Sequence, residues 1–172
     1  MMSSLSNRRK TQGYTLIELL VVVIIIGILA AIAIINLLGL LRQNEIKEAL
    51  TQLEGAVKEA QRQAMRQGKR CTVEFDTTTN QITGNPSNCL LSSRQLSDQI
   101  TMSTNLPTSP PRIIFSYKGN TTNSGTIVLS SSQATDEKRC FVISNGLGIM
   151  RTGIYTRDLS QPIDGYNYCK TM

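Results

Sequence analysis

Histidine is absent from all 172 residues. That removes the commonest general acid–base group near neutral pH. The four cysteines show no CxxC spacing, so with no histidine a zinc site is without its usual ligand set. Asp76, Asp98, Asp136, Asp158 and Asp164 are scattered, and no DxDxDG calcium loop appears. Gly146-Leu147-Gly148 is too short and wrongly placed for a dinucleotide loop. Serines cluster in turn-like runs such as Ser130-Ser131-Ser132, with no lysine or acid set to activate one as a nucleophile. These gaps argue against an enzyme, a cofactor and a bound metal. Two further absences are structural. No charged residue occurs from Leu19 to Ile35, and no proline from Tyr14 to Gln67.

What is present begins with a boundary. Arg8-Arg9-Lys10-Thr11-Gln12-Gly13 gives way to Tyr14-Thr15-Leu16-Ile17-Glu18-Leu19, and an apolar run follows. A spanning helix needs about 20 mostly apolar residues, because the hydrocarbon core is ~30 Å thick and each residue rises ~1.5 Å. Leu16 to Leu41 is long enough. Cations flanking a first span stay cytoplasmic, so Arg8, Arg9 and Lys10 hold the N-terminus inside and the rest of the chain lies across the membrane. A cleaved secretory signal is the rival. Its apolar core is shorter, roughly 7–15 residues, whereas this run continues past the small residues Ala30-Ala31-Ile32-Ala33 without a polar flank.

Glu18 is the odd residue. An acid inside a span costs roughly 2.5–3.5 kcal/mol on insertion scales. Either Glu18 sits at headgroup level, or it has a cationic partner. Cleavage after Gly13 would create an ammonium on Tyr14, and a neighbouring subunit's ammonium could then meet Glu18.

The basic leader, Gly13, the hydroxyl residue Thr15, Glu18 and the long apolar run resemble the class III signal of type IV pilins and type II secretion pseudopilins. The resemblance implies that a prepilin peptidase cuts after Gly13 and methylates Tyr14, and that Glu18 serves subunit assembly. Its implied partners are other pilin or pseudopilin subunits, the peptidase and an inner-membrane assembly platform. Its implied location is the inner membrane, with the N-terminus cytoplasmic and the C-terminal domain periplasmic, and then a pilus or pseudopilus. Tyr14 stands where phenylalanine is more usual. Ile35-Asn36 stands where many pilins carry a proline, which leaves open whether the helix kinks there. Gly27 and Ala31 form a small-xxx-small pair that would let another helix approach.

The helical period continues beyond Leu41. Ile46, Ala49, Leu50, Leu53, Ala56, Val57, Ala60 and Ala64 recur at three- and four-residue steps and make one apolar stripe. Charged residues fill the other face, and Glu54–Lys58 and Glu59–Arg62 are at ion-pair spacing. Gly68 is placed as the C-terminal stop. The helix would run ~54 residues, or 80 Å. The stripe predicts packing on the domain that follows; it lacks the sustained heptads of a coiled coil.

From Cys71 the texture changes to short β-like runs separated by turns. Candidates are Thr72–Phe75, Ile100–Met102, Arg112–Tyr117, Thr126–Leu129, Cys140–Ile143 and Gly148–Arg151, with turn signals at 77–80 and at Asn145-Gly146. The predicted fold is α+β: a long N-terminal helix packed on a small antiparallel sheet. The expected divisions are a leader over 1–13, a membrane half over 14–41, an amphipathic half over 42–68 and a β-rich domain over 69–172. The Ile113-Ile114-Phe115, Gly125–Leu129 and Val142–Ser144 segments resemble GspH/FimT-type minor pseudopilins in order and spacing.

Cys71, Cys89, Cys140 and Cys169 all follow the span, in what is then an oxidising compartment. Three connectivities exist; proximity in sequence favours Cys71–Cys89 and Cys140–Cys169. The formal net charge is +6, but the leader holds three of those cations and residues 71–172 are nearly neutral. That is not the broad basic footprint of a nucleic-acid binder. Some relatives bind DNA during natural transformation through a Gly-Arg-x-Arg motif. The matching stretch is Gly148-Ile149-Met150-Arg151, in which only the second arginine survives. Arg139, Arg157 and Lys170 are the residues that could join Arg151 in weak, salt-sensitive phosphate contacts.

Overall fold

A computed structural model describes residues 14–131 and 137–171, with the side chains of 32–38 outside the description. The leader cations, Gly13, Ser132, Asp136 and the side chains of Ile35 and Asn36 therefore lie outside the described residues. The chain divides into two compact units, Met1–Leu38 and Gly39–Met172.

Helix α1 is Leu16–Gln67. Thr15 starts it: its Oγ1 accepts the Glu18 N–H at 3.3 Å. This is one half of a capping box, and the spacing Thr15-x-x-Glu18 is the sequence signature of that motif. Glu18 also stands in the first turn, where a carboxylate is favoured by the helix dipole. Gly68 ends the helix at φ +63°. The Lys69 N–H then reaches back to the Ala64 carbonyl at 3.2 Å, which is the long bond of a Schellman motif.

Within the first unit the described apolar side chains are exposed on every side, from Leu16 at 84 % to Leu29 at 62 %. Among the described residues no helix is long and apolar enough to cross a membrane.

In the second unit all eight predicted stripe positions, Ile46 through Ala64, are buried. They pack against two antiparallel sheets rather than the single sheet expected. One has the order β3-β2-β1-β5, the other β4-β6-β7-β8-β9. The first comprises β1 (Cys71–Asp76), β2 (Gln81–Asn85), β3 (Arg94–Gln95) and β5 (Arg112–Phe115). The second comprises β4 (Ile100–Thr104), β6 (Gly125–Ser131), β7 (Lys138–Ile143), β8 (Met150–Tyr155) and β9 (Cys169–Lys170). Each alternating strand sends one face inward: Val73 and Phe75 from β1, Ile113 and Phe115 from β5, Ile127 and Leu129 from β6, Phe141 and Ile143 from β7.

A second, smaller core lies on the other face of the five-stranded sheet. Val128, Cys140, Tyr155 and Cys169 are buried there, with Leu159, Ile163 and Tyr168 packed against them from the C-terminal segment. A short helix, α2 (Gly165–Tyr168), sits in that segment, capped by Asp164. Disulfides join Cys71 to Cys89 and Cys140 to Cys169, with Cα separations of 5.5 and 5.9 Å. Every buried apolar side chain among the described residues lies between Ile46 and Cys169. The 39–172 unit therefore holds a complete core of its own.

One predicted ion pair forms and one does not. Lys58 and Glu54 meet at 2.5 Å. Glu59 does not pair with Arg62. It is 7 % exposed and accepts instead from the Leu91 N–H at 2.6 Å and from Arg94 at 2.9 Å. Burial decides this: a carboxylate removed from water needs strong donors, and the 89–95 segment lies directly over it.

Candidate functional site

Two regions carry the residues singled out by the sequence. The first is the N-terminal turn of α1. Tyr14 is 82 % exposed, Thr15 caps the helix, and the Glu18 side chain stands in solvent. Among the described residues no cation pairs with the Glu18 carboxylate. The helix behind it exposes isoleucine, valine and leucine around its whole circumference. A helix apolar all round is stable only when something apolar surrounds it. This turn thus presents a carboxylate at the head of a helix whose described apolar side chains are exposed.

The second region is the set of arginines toward the C-terminus. Register separates them. Arg139 opposes Ile154, and Val142 opposes Arg151. Arg139 thus shares the face of Phe141, while Arg151 shares the opposite face with Cys140 and Tyr155. Arg139 is 5 % exposed and is paired with Glu137. Arg151 donates to the Gly165 carbonyl at 2.8 Å. Arg157 donates to the Pro162 carbonyl at 3.2 Å and lies 4.8 Å from the centre of the Tyr168 ring. Lys170 is exposed on β9. Arg151 and Arg157 are brought to one side, where they brace the segment carrying α2. They do not join Arg139 in a continuous cationic patch.

Three aspartates of the domain are similarly employed. Hydrogen bonds from Thr79 and Thr78 hold the Asp76 carboxyl below its ordinary range. Those from Ser160 do the same for Asp158, and those from Asn167 and Tyr166 for Asp164. Each turn or cap donates to the charged form and so favours it.

The sequence reading missed a third feature. Gln61 Nε2 on α1 donates to the Gly119 carbonyl at 2.9 Å and to the Leu147 carbonyl at 3.3 Å. Thr121 and Gly146 exchange two N–H···O bonds, each 2.9 Å. The β5–β6 and β7–β8 connections are thereby fastened together over one turn of the helix. At Gly119 (φ +80°) a methyl would lie 2.8 Å from Met65 Sδ, and Gly148 (φ +65°) is packed against Gln61 and Phe115. Both glycines need the left-handed conformation that side chains resist. The signal was available in the glycines of 116–120 and 145–149; the anchoring glutamine carries none.

An exposed apolar N-terminal helix continuing into a helix that docks on antiparallel sheets defines a pilin-like structural subunit. The prokaryotic N-terminal methylation motif matches residues 8–34, and the family described as type II transport protein GspH matches residues 49–147. The chain belongs to the GspH family and is a minor pilin or pseudopilin. Its fold is similar to that of the type IV minor pilin FimU of Pseudomonas aeruginosa, at 16 % identity and TM-score 0.53 over 63 % of this chain and 88 % of that one. It is equally similar to the minor pseudopilin EpsH of the Vibrio cholerae type 2 secretion system, at 16 % identity and TM-score 0.53 over 64 % and 97 %. No curated protein sequence matches the chain. Family and fold are those of structural subunits.

Proposed function

We propose that this chain is a precursor processed after Gly13 and methylated on Tyr14, then built into a short pilus or pseudopilus. Before assembly the segment from Leu16 to Leu41 anchors it in the inner membrane, with the leader inside and the chain after Leu41 outside. The observation that carries this is the methylation motif over 8–34, set on a helix whose apolar side chains are exposed all round. In the filament those side chains are covered by neighbouring helices, and Glu18 meets the methylated ammonium of an adjacent subunit. A prepilin peptidase and an inner-membrane platform are the partners this requires. The chain itself performs no chemistry. Secretion and pilus machines use the same physics, and the family name favours secretion. DNA capture is the weaker reading, because Arg139 is buried and Arg151 and Arg157 are occupied within the fold.

Mass spectrometry of the protein from cells tests the first step. The expected N-terminus is N-methylated Tyr14; an intact Met1 or unprocessed leader would overturn the reading. Glu18→Leu tests the second: processing is expected to persist while filament incorporation is lost.

A further inference from the structure

Asn145-Gly146 is the one place in the chain where glycine follows asparagine, and the fold acts on it in two opposed ways. Asn145 is exposed, and its Oδ1 accepts the Gly146 N–H at 2.7 Å. Oδ1 is bonded to Cγ, so this contact turns the side-chain amide carbon toward the backbone nitrogen that follows it. Joining those two atoms closes a five-membered ring. Gly146 has no side chain to obstruct the approach, and the space where its Cβ would stand is open. Holding reacting atoms together in this way removes much of the entropic part of a barrier.

The nitrogen itself is restrained. The same N–H donates to the Thr121 carbonyl at 2.9 Å, and the Thr121 N–H returns a bond to the Gly146 carbonyl. Thr121 is buried. The Ser144 N–H closes the tip by donating to the Ile149 carbonyl at 2.9 Å. Gln61 Nε2 grips the carbonyls of Gly119 and Leu147, on either side of the bridge. An amide nitrogen attacks only after losing its proton, and a proton engaged by a carbonyl inside the fold is shielded from base. Reaction therefore waits on local opening of the bridge.

Other asparagines lack this pairing of approach and restraint. Asn85 precedes Pro86, which has no N–H. Asn123 is buried, and its Oδ1 accepts the Ile114 N–H at 3.0 Å. Asn105 is committed to Thr126 and Ile163.

We propose that Asn145-Gly146 is a self-modification site gated by the Thr121 bridge. When the bridge opens, hydroxide takes the Gly146 N–H proton and the nitrogen attacks Asn145 Cγ. The N–Cγ bond forms, the Cγ–Nδ2 bond breaks, and Nδ2 takes a proton from water and leaves as ammonia. Water then opens the succinimide at one of its two carbonyls. Opening at Cγ leaves aspartate. Opening at the main-chain carbonyl leaves a β-linked aspartate, with one more carbon in the backbone. The sum is asparagine plus water going to aspartate plus ammonia, with nothing oxidised or reduced. The β-linked product is too long to restore the register of Thr121 against Gly146, so the change unfastens the tip from Gln61 for good. This inference does not depend on the filament-subunit reading.

The 39–172 unit, with its own core, is incubated in mildly alkaline buffer beside a synthetic peptide spanning Val142 to Arg151. Peptide mapping by mass spectrometry follows the exchange of NH for O at Asn145, and a synthetic β-linked standard identifies the product by its elution. Conversion is expected in both, in the chain first at Asn145, and there at least about tenfold slower than in the peptide. Hydrogen exchange of the Gly146 amide gives the fraction of time the bridge is open. That fraction is expected to match the ratio of the two deamidation rates, since both reactions need the same free N–H. Gln61→Ala releases the grip on Leu147 and is expected to raise exchange and deamidation together. Circular dichroism melts show whether that variant keeps its fold, and the wild-type comparison stands without it. Four results would each overturn the proposal: an Asn145 that persists beyond the time its open fraction allows, conversion as fast as in the peptide, conversion led by another asparagine, or a rate that fails to follow Gly146 exchange.

Discussion

Glu59 on α1 and Arg94 on β3 meet at 2.9 Å across 35 residues of sequence, and the same carboxylate accepts the Leu91 N–H at 2.6 Å. The pair clips the 86–96 segment onto the helix, on the side away from the Gln61 anchor.

Removing one member leaves the other without its counter-charge. Breaking a buried pair typically costs 3–5 kcal/mol; because the Arg94 side chain is 33 % exposed, solvent screening reduces this and Glu59→Ala should lose about 2 kcal/mol. Urea unfolding of the 39–172 unit reads it directly. A double-mutant cycle with Arg94→Ala should show the two losses to be non-additive, and additive losses would mean the clip contributes nothing.

The disulfide Cys140–Cys169 closes 29 residues. In the chain-entropy model a loop of that length is worth about 3–4 kcal/mol. Replacing both cysteines with alanine should lower Tm and expose the C-terminal segment to protease before the helix–sheet core unfolds. Simultaneous loss of both regions would show that the smaller core is not a separate layer.

Gly153 admits β9. A methyl there would run into the Lys170 carbonyl oxygen, backbone that cannot swing aside. Gly153→Ala should cost about 1–3 kcal/mol, as overpacking does, and should free the C-terminal strand. Amide exchange at Lys170 is the readout, and unchanged protection would refute the close approach.

Acid should unfold the domain through its turns. Asp76, Asp158 and Asp164 all have folded-state values below the ordinary 3.8. A depressed carboxyl stabilises the native state fully above its unfolded value and loses that contribution as pH falls through its folded value. The loss therefore begins near pH 3.8 and continues below it. Thermal melts should be steepest in pH dependence there, and Asp164→Asn should flatten the curve in that window by lowering Tm nearer neutrality, where the charged carboxyl's contribution is complete, more than in acid, where it is already lost.

Much of this architecture is written locally. The stripe from Ile46 to Ala64 repeats at the helical period, so all eight positions could be placed in the core without coordinates. Gly68 could be placed as the stop because a residue with no Cβ takes the left-handed conformation without penalty. Strands rich in β-branched residues, such as Thr126–Leu129, were legible for the same kind of reason. β2 was not. Gln81-Ile82-Thr83-Gly84-Asn85 holds one apolar side chain, and its strand character comes from pairing with β1. β3 and β9, two residues each, exist only through their partners. Glu59 illustrates the limit for side chains: spacing offers Arg62, but tertiary burial delivers Arg94. At the N-terminus the motif from Gly13 to Glu18 is readable, whereas the counter-ion proposed for Glu18 belongs to another molecule.

The tether that Gln61 makes to two carbonyls has an evolutionary implication. Because Gly119 and Leu147 are gripped through their backbones, the identities of Tyr117, Lys118, Leu147 and Ile149 can drift with little penalty to the scaffold beneath. The apex of the domain is thus an interchangeable label on a fixed handle, and relatives working in different machines could differ there first.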